Sequence, residues 1–161
     1  MNAKDVLKYG HQTVLHTLDG LPQTEWETPN VCGIWSVKDI IAHLASFEHV
    51  LVEVLTTFLD GGPTPYLEKM GALGPLGFND AEVALRQDKT PGEVLAEYND
   101  TQAQTRALAA LIPAETYRQN GTLSWYGSEY DLDDYIAYSF YGHKREHSAQ
   151  IAVFRDQLAR S

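Results

Sequence analysis

Apolar residues recur along this chain three and four positions apart, with polar residues between them. Side chains at that spacing share one face of an α-helix. No stretch alternates strictly between apolar and polar residues, as a half-buried strand would. The first helical pattern covers roughly residues 3–19, with Val6, Leu7, Val14, Leu15 and Leu18 inward and Gly20 and Pro22 ending it. Residues 20–35 read as a loop. Ser36 then caps a second helix, with Asp39 at the acidic position of a capping box. Its stripe runs through Ile40, Leu44, Phe47, Leu51, Val54, Leu55 and Phe58 to a stop at Gly61, Gly62 and Pro63.

Residues 61–78 hold five glycines and three prolines and are expected to form a long surface loop, of the kind that serves as a lid or a plain connection. A short helix is expected at 80–88. Thr90, Pro91 and Glu93 then supply an N-cap, an N1 proline and a capping-box acid for a helix over 91–111. Its inner face is Val94, Leu95, Tyr98, Thr105, Leu108 and Leu111 or Ile112. Residues 113–130 read as loop, and Asp131 as the cap of a last helix over 132–159. The prediction is an all-α, antiparallel four-helix bundle, up-down with long loops, in one domain spanning 1–161.

The last helix carries an anomaly in YGHKREHSAQI. His143 and His147 lie in line with Phe140, Ile151 and Phe154, on the face that should be buried. His43 falls between Ile40 and Phe47 on the second helix, also inward. A buried imidazole needs a partner for both ring nitrogens, and two imidazoles one turn apart would compete for the same partners. A divalent ion resolves the competition by taking a lone pair from each ring. His43, His143 and His147 are therefore candidate metal ligands, three neutral donors that leave coordination positions for water or substrate. The structural alternative is a set of core histidines satisfied by hydrogen bonds.

Glu146 lies beside the pair in sequence and is a candidate acid–base group, with a solvated face residue as the alternative. Asp39 lies one turn before His43; its roles are helix cap or acid–base group at the ion. His11, His16 and His49 are expected to be surface or structural. Trp35 and Trp125, at helix starts, are expected to pack in the core, and Cys32 to be a small buried hydrophobe. HKREH also fits the H-x-x-E-H pattern of inverted zinc peptidases, but only 14 residues follow His147 to supply a further ligand.

Composition narrows the function. The 161 residues are 43% hydrophobic, enough for one real core. Twelve basic against 22 acidic residues give a net charge of −10, which opposes nucleic acid and anionic membrane surfaces. No membrane span or signal peptide is expected, and the single Cys32 accords with a reducing, cytoplasmic setting.

The segments GIWSVKDIIAHLASFE and YGHKREHSAQI resemble the DinB-like superfamily of four-helix metalloproteins, and within it the ClbS/DfsB branch. The resemblance implies an ion, often nickel or zinc, held by His43, His143 and His147. It implies an enzyme acting on a small, electrophilic or toxic molecule, as a hydrolase or as a transferase that uses a low-molecular-weight thiol. It also implies a homodimer. Isomerases of the superfamily that use mycothiol carry a glutamate where this chain has His143, a departure that weakens the transfer of their specific reaction.

Overall fold

The computed structural model describes residues 2–161. Helices α1 (Ala3–Leu18), α2 (Val37–Thr57) and α4 (Pro91–Leu111) form as the spacing predicts. The last helical run is continuous but not uniform. It comprises α5 (Leu132–Ile136), a widened π-helical turn (Ala137–Tyr141) and α6 (Gly142–Arg160). The capping boxes at Ser36 and Asp39, Thr90 and Glu93, and Asp131 and Asp134 are all formed, so local sequence sets these helix starts.

The expected loop over 61–78 is instead mostly helix. A fifth helix, α3, runs from Pro65 to Ala84 and is kinked at Gly74, whose φ of 72° and ψ of 168° suit only glycine. Thr64 gives α3 no side-chain cap. Its first free N–H groups are satisfied from α2: the Glu53 carboxylate accepts from Tyr66 N and Leu67 N, each at 2.9 Å. That cap comes from tertiary structure and leaves no local trace in sequence. The short helix expected at 80–88 is the end of α3, which stops at Ala84.

In the bundle α1 packs on α6 and α2 on α4, while α3 lies along α2. The core forms two apolar clusters. One gathers Leu51, Leu55, Phe78, Leu132, Ile136 and Phe140; the other gathers Trp26, Ile40, Leu44, Tyr98 and Ile151. Full burial of each such aliphatic side chain contributes about 1.5–3 kcal/mol. At the end of α4 it is Ile112 that enters the core, 1% exposed, while Leu111 is 67% exposed. Trp125 is also exposed rather than packed in the core. The α2 helix is apolar enough for a membrane span, with mean hydropathy 1.3, yet 67% of that window is buried in the bundle.

Candidate metal centre

The three histidines meet where the two clusters adjoin. The His43 ring lies against Trp35, which packs on the second cluster, and against Phe47, which packs on the first. His43 and His147 are buried and His143 is half-buried. The Nε2 atom of His143 stands 2.8 Å from Nε2 of His43 and 3.0 Å from Nε2 of His147. All three donor atoms lie within 4.8 Å of one another.

Hydrogen bonding alone does not satisfy this cluster. The His147 Nδ1 atom lies 2.8 Å from the Gln150 side-chain oxygen, an acceptor, so the proton of a neutral ring sits on Nδ1 and Nε2 carries the lone pair. His143 Nε2 has at most one proton to share between two neighbouring Nε2 atoms. The buried Nδ1 atom of His43 has no partner. An ion among the three Nε2 atoms removes the conflict between those atoms, though it leaves the His43 Nδ1–H without a partner. Two nitrogens bound at about 2.0–2.1 Å and at a right angle stand about 3 Å apart, which matches the observed spacing. The residues present therefore fit a divalent ion, and the three histidines could hold one.

Electrostatics keep the donors ready. Burial, then the neighbouring His143 and His147, holds His43 down to about 2. Burial, His147 and Lys144 hold His143 down to about 3. Burial also lowers His147, against opposing pulls from Gln150 and Glu146. Neutral imidazoles are the form that binds metal.

The other candidates fall at different distances from the chemistry. Glu146 is exposed, and among the described residues no contact joins its carboxylate to the three imidazoles. Asp39 is engaged elsewhere: Oδ2 accepts from Ser36 N and Oγ, and Oδ1 accepts from Gln87. It is a helix cap that steadies the turn before His43. Cys32 is half-buried rather than fully buried and packs against the second apolar cluster. Its backbone pairs with that of Trp35 in a tight turn. Among the remaining histidines, His16 is exposed and His49 bonds Glu97 while stacking on Tyr66. His11 packs against Tyr98. Sequence reasoning missed Gln150, although its place one turn after His147 was a usable signal. A surface cavity of about 610 Å³ beside Asn2, Tyr117 and Arg118 has none of the imidazoles in its wall.

Residues 7–151 match the DinB superfamily, and the chain belongs to it. No curated protein and no solved structure matches the chain.

Proposed function

We propose that this DinB-superfamily chain is a divalent-metal-dependent enzyme acting on a small electrophilic molecule, as a hydrolase or a thiol-dependent transferase. The observation that carries the reading is the convergence of three neutral Nε2 donors whose hydrogen-bonding demands conflict without an ion. A bound nickel or zinc ion would supply Lewis acidity, lowering the pKa of a water or thiol and polarising the substrate.

The chain's own residues divide the remaining work. Three neutral ligands leave the charge of the ion uncompensated, which favours an anionic nucleophile beside it. His143, the least buried of the three, marks the side from which substrate approaches. Trp35 and Phe47 wall that region with aromatic surface, suited to an apolar substrate. Glu146, exposed and adjacent to His147 in sequence, is the acid–base candidate. Asp39 contributes by holding the first turn of α2, on which His43 depends. The likeness of both histidine segments to the ClbS/DfsB branch supports a role in disposing of a toxic molecule.

A second reading is a non-catalytic ion that fastens α2 to α6, favoured by the burial of His43 and His147. Both readings are tested by metal-loaded protein assayed against electrophiles, with and without low-molecular-weight thiols, beside His147→Ala. Turnover that disappears in the variant supports the enzyme. Turnover that survives in it contradicts the enzyme reading. A chelator that lowers Tm while no substrate turns over selects the structural ion.

A further inference from the structure

We infer that Gln150 is a positioning residue for His147, holding its ring in the tautomer that presents Nε2 to the ion. The inference rests on the reading of the triad as a metal site and adds a partner outside it.

Gln150 stands three residues after His147 on α6, which brings its side chain back along the helix to the ring. Its Oε1 lies 2.8 Å from His147 Nδ1. A carboxamide oxygen accepts but does not donate, so this contact places the proton on Nδ1 and the lone pair on Nε2. With the amide reversed, its NH2 group would face Nδ1 and favour the opposite tautomer, in which Nε2 bears hydrogen and binds no metal.

His43 is held by packing instead: the Trp35 ring lies 4.9 Å from the His43 ring, centroid to centroid. Among the described residues, His147 is the only member of the triad whose Nδ1 has a side-chain partner. Its tautomer is thus the one the protein sets by a dedicated hydrogen bond. Outer partners of metal-bound histidines typically change metal affinity by roughly 10–100-fold when removed.

The test compares wild type with Gln150→Leu, which keeps the bulk and removes the acceptor, and Gln150→Glu, which keeps an acceptor. Cobalt(II) affinity is measured by competition with a chromogenic chelator, and the visible bands of bound cobalt report its ligand geometry. Gln150→Leu is expected to bind cobalt roughly 10–100-fold more weakly, with Gln150→Glu restoring affinity and bands. In the metal-free protein, ¹⁵N shifts of the His147 ring should show Nδ1 protonated in wild type and Nε2 protonated to a large extent in Gln150→Leu. Equal cobalt affinity in wild type and Gln150→Leu would overturn this inference alone. So would a wild-type His147 ring protonated on Nε2, a measurement that needs no folded variant. No cobalt binding by wild type would overturn the metal reading together with it.

Discussion

Glu48 of α2 and Lys144 of α6 form an ion pair with both side chains buried, and Lys144 directly follows the candidate ligand His143. Glu48 also accepts from Thr105 Oγ1 of α4 at 2.9 Å, and the Lys144 ammonium lies 5.6 Å from the centre of the Tyr98 ring. Gly10 of α1 makes room for the pair: a Cβ there would sit 3.4 Å from the Lys144 stem. The pair spans the same two helices as the triad. It ties α2 to α6 by a link that needs no metal and so holds the imidazoles near one another before an ion arrives.

Lys144→Met should strand the Glu48 carboxylate in the core and cost about 3–5 kcal/mol. The double variant Glu48→Leu/Lys144→Met, which leaves no lone charge, should recover most of that loss. Urea unfolding of the two variants checks both values. A single variant as stable as wild type would mean the pair contributes nothing.

The pH dependence of the metal-free protein should follow the buried imidazoles. Burial, ahead of the Lys144 charge, holds His11 down to about 4, and His43 and His143 are held lower still. The unfolded chain takes up protons on these rings as pH falls below about 6.5, while the folded chain does not. Stability is therefore full above that pH and is lost as pH falls toward the folded values. The slope is at most about 1.4 kcal/mol per pH unit for each ring. Urea midpoints of chelator-treated protein at pH 7, 6 and 5 should decline in order, and less steeply in His11→Gln. Unchanged midpoints would contradict the depressed values.

The start of α3 depends on Glu53. Removing its carboxylate in Glu53→Ala exposes two unpaired N–H groups at Tyr66 and Leu67 and should cost about 0.5–2 kcal/mol, the usual worth of a helix cap. Amide hydrogen exchange should speed up over the first turns of α3 and leave α2 unchanged. Unaltered exchange there would show that packing, not the cap, holds the helix.

The parts of this molecule that local chemistry specifies were legible in its sequence. The caps at Ser36, Thr90 and Asp131 lie where their side chains require, and α1, α2 and α4 follow from apolar spacing. The triad was legible for the same reason: four-residue spacing places His143 beside His147 whatever the rest of the fold does, and they meet His43 across the core. What escaped was set by contacts distant in sequence. Helix α3 is capped by Glu53 from another helix, and its Gly74 and Pro75 mark a kink, not a loop. The π-helical turn before His143 has no composition signal, although such turns are common at functional sites. The Glu48–Lys144 pair joins two residues that each look like surface charge.

The central claim is that the imidazoles face inward because an ion sits among them. Elemental analysis of protein purified without a metal-affinity tag, wild type beside His143→Ala, tests it most directly. The account predicts about one equivalent of nickel or zinc per wild-type chain, lost in the variant. No metal in either protein, even after incubation with several divalent ions, would contradict it and leave the three histidines as core residues.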